Sequence, residues 1–160
     1  MNVHNQVITA WSFAVICVVL VVVIIFMPKR ISYGEMYVTS YFATFLAAMA
    51  DMYLDLKWDL YGFFFKGVDL WYIPVFIVVY PAANILYLNF FPHVRSKRKQ
   101  ALYILFCSGL CLLFEWMVRK TILFYYHGWK LQYSAIAYPI LFFLLVLNLW
   151  VIRKLPANPK

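Results

Sequence analysis

Five apolar runs joined by short polar connections constrain this chain more than anything else in it: 9–27, 35–54, 71–91, 100–124 and 134–152. A bilayer core of about 30 Å needs roughly 20 apolar residues per helical crossing, and each run meets that length. The stretch "AVICVVLVVVIIF" is apolar on every face, as a spanning helix demands, and lacks the period-two alternation of a membrane barrel. Hydrophobic residues make up 66% of the chain and charged residues 12%, against soluble averages of roughly 45–50% and about 25%. The pattern predicts an all-α, polytopic bundle of five transmembrane helices in a single domain. No internal repeat or low-complexity linker is present. The first run is read as a first helix and not as a removable leader, because nothing basic precedes it and Pro28-Lys29-Arg30 follows. The tail "LPANPK" is read as frayed.

Charge placement predicts an orientation. Lys29 and Arg30 follow the first run. Arg95, Lys97, Arg98 and Lys99 lie between the third and fourth, and Arg153, Lys154 and Lys160 follow the fifth. These cations share one side with a single acid, Glu35. The other side carries Lys57, Lys66, Arg119, Lys120 and Lys130 against Asp51, Asp55, Asp59, Asp69 and Glu115, and is neutral. The positive-inside rule therefore puts the N-terminus outside and the C-terminus in the cytoplasm. The loop "HVRSKRKQ" is expected to meet anionic lipid headgroups through Arg95, Lys97, Arg98 and Lys99. The net charge of +8 thus belongs to one membrane face and does not imply nucleic acid. Trp11, Trp58, Trp71 and Trp129 fit an outer aromatic belt, and Trp150 an inner one. Cys17, Cys107 and Cys111 all fall within helical runs, which argues for packing and against a disulfide framework.

Four of the six acidic residues fall within "DMYLDLKWDLYGFFFKGVD". At about 1.5 Å per residue, Asp51 lies roughly 24 Å above Glu35 and Asp55 roughly 30 Å above it. Asp55 should reach the outer interface, with Asp51 a turn beneath. If the helix continues, Asp51, Asp55 and Asp59 form one stripe. Glu115 lies at a similar depth on the fourth run. An i, i+4 pair with Arg119 is expected there, followed by His127 in "FYYHGWK". Ionisable groups at depth cost on the order of 2.5–3.5 kcal/mol each and face a bundle interior or a watery cavity. Asp51, Asp55, Glu115, Arg119 and His127 are therefore the candidates for an outward-opening polar crevice, with Asp51 and Glu115 looking at each other across it. The plain alternatives are an internal ion pair for Glu115–Arg119, wet loop positions for Asp55, Asp59, Lys66 and Asp69, and an interfacial turn for His127.

Asn84 and Asn148 are expected to bond across helices. Pro81 is expected to free a backbone carbonyl and kink the third run, and Pro139 to do the same in the fifth. The segment "YGFFFKGVDLWY", from Tyr61 to Tyr72, is too apolar for a wet loop and is expected to lie in the interface or fold over the bundle as a lid. No Gly-rich phosphate loop, HExxH, GxSxG or paired CxxC occurs, so no cofactor or metal is implied.

"DMYLDLKWDLYGFF", "GVD", "YPAANILYLNFFP", "FEW", "FYYHGWKLQYS" and "YP" together resemble a family of small multi-pass membrane proteins from spore-forming Gram-positive bacteria, over roughly Asp51 to Pro139. The resemblance implies a bacterial plasma membrane and supplies no catalytic residue. Three functions are then open. The first is a binding or accessory membrane protein with an outward polar crevice for a protein partner or lipid-like ligand. The second is a membrane-embedded enzyme acting on a lipid or isoprenoid by carboxylate acid–base chemistry. The third is a small proton- or cation-coupled carrier, which five helices without an inverted repeat make the least economical.

Overall fold

The computed structural model describes residues 3–63, 72–119 and 124–155, with side chains described over 11–62, 73–119 and 124–155. Lys66, Asp69, Trp71, Lys120, most of the expected lid and the tail after Leu155 lie outside them. The chain is mostly helical, in the order α1 (Val3–Phe26), α2 (Tyr33–Asp51), a π-helical piece (Met52–Lys57), β1 (Tyr61–Phe63), α3 (Tyr72–Pro74), a second π-helical piece (Val75–Val79), α4 (Tyr80–Phe90), α5 (Lys97–Val118), β2 (Phe124–Tyr126) and α6 (Leu131–Lys154).

The all-α expectation holds at this level, and all five apolar runs are helical over most of their length. Among the described residues, two helices are long and apolar enough to cross a membrane, Lys97–Val118 and Leu131–Lys154, with shorter apolar stretches at Trp11–Phe26 and Val75–Phe90. The second run is interrupted by Thr39, Ser40, Thr44 and Asp51. The third is divided by its π-helical piece.

That division has a chemical cause. Pro81 has no N–H to donate, so the regular four-residue bond cannot form there. The ladder just before it widens, and Tyr80 N–H reaches back five residues to Val75 O. The kink expected at Pro81 therefore takes the form of a π-helical turn. In contrast, α6 continues through Pro139. The fourth run ends early: α5 stops at Val118, and Phe124–Tyr126, expected to be helical at its start, is a strand.

α2 begins with a reciprocal cap. Ser32 Oγ accepts from Glu35 N–H at 3.2 Å, and Glu35 Oε2 accepts from Ser32 N–H at 2.7 Å, satisfying two orphan donors. α2 packs against α4 and α6, α5 packs against α6, and α1 packs against α4. The apolar core lies where the basic loops are. Met27, Ile31, Met36, Ala43, Tyr87, Leu88, Phe91, Leu145 and Leu149 form it. Polar ties close that end. Asn89 Nδ2 donates to Pro28 O at 2.9 Å, and its Oδ1 accepts from Arg30 N–H at 2.6 Å. Arg153 Nε meets Glu35 Oε1 at 2.5 Å, joining the last turn of α6 to the start of α2.

Candidate functional site

At the opposite end the interior is polar. Asp51, Asp55 and Glu115 are 6%, 5% and 4% exposed. Asp51 closes α2, and Asp55 follows it on the π-helical piece, both buried. Asp59 leaves that row. It adopts a left-handed backbone with φ 49° and lies 3.0 Å from His127 Nδ1, with both side chains substantially exposed.

Asp51 accepts two phenol hydrogen bonds, from Tyr61 of β1 at 2.8 Å and from Tyr80 at the start of α4 at 2.8 Å. Glu115 accepts three hydroxyl bonds. Tyr126 of β2 donates to Oε1, Ser134 donates to Oε1 at 2.7 Å, and Tyr138 donates to Oε2 at 2.6 Å. Trp129 Nε1–H in turn donates to Ser134 Oγ at 2.7 Å. Among the described residues neither Asp51 nor Glu115 is ion-paired. Each is held by neutral donors, with one tyrosine from a strand and one from a helix.

The strands form a two-stranded antiparallel ribbon in the register Tyr61↔Tyr126, Gly62↔Tyr125 and Phe63↔Phe124. Directly opposed residues lie on one face of such a ribbon, so Tyr61 and Tyr126 point the same way, down onto the two carboxylates. Tyr125 lies across Gly62, where a Cβ would collide with the end of its ring and push it aside. The ribbon is tied at its base. Leu60 O accepts from the N–H groups of His127, Gly128 and Trp129 at 2.9, 3.0 and 2.9 Å. Tyr61 packs against Phe124 and edge-on against Trp129, each with ring centroids 5.5 Å apart. Burial, reinforced by the facing Asp51, holds the Tyr61 phenol above the ordinary tyrosine value, and burial with Glu115 does the same for Tyr126. Both therefore remain donors across the physiological range.

The structure thus gathers Asp51, Asp55 and Glu115 at one end and redraws their partners. The expected Glu115–Arg119 ion pair does not form. Arg119 caps α5, donates its backbone N–H to Glu115 O at 2.9 Å and turns its side chain to the surface. Glu115 faces α6, where three hydroxyls are closer at hand. Asp51 and Glu115 do not bond to each other, and the ribbon connects them. His127 is exposed and reaches Asp59 rather than a buried carboxylate.

Asn84, 2% exposed, does bond across helices, donating to Thr39 Oγ1 at 3.0 Å; Thr39 passes the bond to Glu35 O at 2.7 Å. Asn148 does not, and its Oδ1 is buried without a hydrogen-bond partner among the described residues. Arg95, Lys97, Arg98 and Lys99 are all exposed at the basic end. Among the described residues no group of three or more His, Cys, Asp or Glu is placed to hold a metal.

The residues missed in the sequence are Tyr61, Tyr80, Tyr126, Ser134 and Tyr138, together with Asn89 at the far end. One signal pointed to the hydroxyls. A buried carboxylate without a nearby cation must take its bonds from neutral donors, and the chain carries 13 tyrosines.

Compared with protein-family models, with curated proteins and with solved structures, the chain matches none. Its own geometry is what bears on function.

Proposed function

We propose that this is a small multi-pass protein of a bacterial plasma membrane, crossing five times with its C-terminus in the cytoplasm. In this reading it serves as a binding or accessory protein whose working face is the tyrosine-roofed carboxylate site on the outer side. Support for the membrane reading comes from exposure. The apolar windows of α5 and α6 are each 11% buried, and side chains such as Phe106 and Ile136 are 63% and 66% exposed. Lipid accepts such surfaces and water does not. Support for five crossings comes from length. α1 has 24 residues, or about 36 Å at helical rise, and the joined pieces from Tyr72 to Phe90 reach about 28 Å. The basic loops at one end and the neutral, tryptophan-bearing surface at the other support the orientation.

The observation that carries the binding reading is the pair of buried carboxylates, Asp51 and Glu115, that meet neutral hydroxyls and no cation among the described residues. A carboxylate in a water-poor site that is held by neutral hydroxyls has attraction to spare for an arriving cation or hydrogen-bond donor. The matching ligand chemistry is a protonated amine, or a polar headgroup rich in donors, on a lipid-like molecule or a protein partner. The test is purification from native membranes of the wild type and of an Asp51→Asn/Glu115→Gln double variant, followed by mass spectrometry of co-purifying lipids, small molecules and proteins. The expected result is a species enriched with the wild type and lost from the double variant. If both proteins retain the same companions, the carboxylates are structural and the binding reading falls.

A further inference from the structure

We propose that the β1–β2 ribbon is a lid with two latches, Tyr61 on Asp51 and Tyr126 on Glu115, which open together and uncover both carboxylates as one site. This deepens the binding reading above and rests on it for its purpose, though not for its mechanics.

The mechanics follow from which bonds are internal to the ribbon. Tyr61 and Tyr126 are direct cross-strand partners. Leu60 O gathers three successive N–H groups from the segment that follows β2. Backbone bonding therefore joins the two strands to each other at the ribbon and at its base. The latches to the bundle are of another kind, two phenol hydroxyls on carboxylate oxygens. A side-chain hydroxyl bond to a site with other donors is more readily exchanged than a paired backbone, so the ribbon moves as a body. Lifting one strand alone would require breaking its pairing with the other.

The carboxylates are prepared for that loss. Without Tyr61, Asp51 keeps Tyr80; without Tyr126, Glu115 keeps Ser134 and Tyr138. Those three donors come from helices and stay in place. Each carboxylate then presents one released acceptor position toward the side the lid has left, so an incoming donor replaces a phenol with no rearrangement of the helices. The chain also supplies a pivot. Asp59, immediately before Leu60, sits in the left-handed region at φ 49°, a conformation that asparagine and aspartate tolerate better than other side-chain-bearing residues. His127 sits 3.0 Å from it, beside the other strand.

The test is fluorine NMR in nanodiscs with 3-fluorotyrosine introduced at position 61 or 126 and no ligand added. In the unmodified protein the two rings should show the same fraction released from their carboxylates within about twofold. Tyr61→Phe keeps the ring and removes one hydroxyl bond. It should raise the released fraction at Tyr126 by about three- to tenfold, the worth of one such bond. Tyr126→Phe should do the same at Tyr61. A partner ring unchanged by either substitution would overturn the proposal. So would released fractions in the wild type that differ by more than about tenfold, a measurement that needs no further substitution to fold. Failure here leaves a rigid roof over the carboxylates and does not touch the co-purification test, which fails or succeeds on its own.

Discussion

The two ends of this bundle solve the same problem in opposite ways. Where the basic loops gather, the helices converge on apolar side chains, with Leu88 and Leu149 at 0% and 1% exposed. Polar groups there, Asn89 and the Glu35–Arg153 pair, fasten chain segments to one another. At the other end the convergence is on three carboxylates, and the covering layer is aromatic and hydroxylic. Close apolar packing gains dispersion contacts and leaves no polar group to satisfy. A buried carboxylate loses its hydration and recovers it only through the bonds made to it. The first end is thus built for stability. The second carries a cost that its tyrosines offset, an arrangement suited to a site that must remain reactive toward an incoming group.

Substitutions can break or sharpen that contrast. Leu88→Ala, at the apolar end, should produce the largest loss of stability, about 2–5 kcal/mol, read as a fall in thermal midpoint in mild detergent. Gly62→Ala should come next, at about 1–3 kcal/mol, because its Cβ must displace the Tyr125 ring. The loss should localise to the ribbon, with faster amide exchange there and little change at the basic end. Asp51→Asn and Glu115→Gln keep the acceptor oxygen and remove the charge. They should be neutral or mildly stabilising, within about 1 kcal/mol, as replacements at functional sites often are. If either unfolds the protein as readily as Leu88→Ala does, the carboxylates are structural cement and the contrast disappears.

The smallest effect is expected at His93, in the loop at the basic end. Burial holds its pKa below the ordinary 6.5, against an opposing contact with Leu88 O. A histidine with a lowered folded pKa binds fewer protons folded than unfolded. Its contribution is therefore complete above about 6.5 and is lost as pH falls through the lower folded value. Thermal midpoints of the wild type should fall slightly more between pH 7 and pH 5 than those of His93→Gln. Equal slopes would remove His93 from the account.

The helical segments could be read from the sequence because hydrophobic length is a local property. The burial of Asp51 and Glu115 was legible as well, since ionisable groups on such apolar runs must turn inward. Their partners were not. The donors to Asp51 lie 10 and 29 residues away, and those to Glu115 lie 11, 19 and 23 away. No periodicity links such positions. The i, i+4 rule favoured Arg119 for Glu115, but that rule describes neighbours on a helix surface. Here Glu115 turns into α6 while Arg119 faces out. Phe124 looked helical because it is apolar and ends an apolar run. Its strand geometry comes from Tyr61–Phe63, some 60 residues earlier, and pairing over that separation leaves no mark on either segment alone. Asn89 was passed over for a similar reason, since its work is done on the backbone around Pro28.

That clasp has a consequence in time. Ribosomes deliver this chain in order, and Asn89 fastens residues made some 60 positions before it. The exit of α1 therefore stays unsecured through the synthesis of α2 and is locked when α4 is nearly complete. The start of α2 waits longer still, for an arginine 118 residues downstream. The bundle is laced backwards, each later helix returning to fix an earlier one. A nascent chain halted before Arg153 emerges should hold its first helices beside one another with their basic-end seam still open.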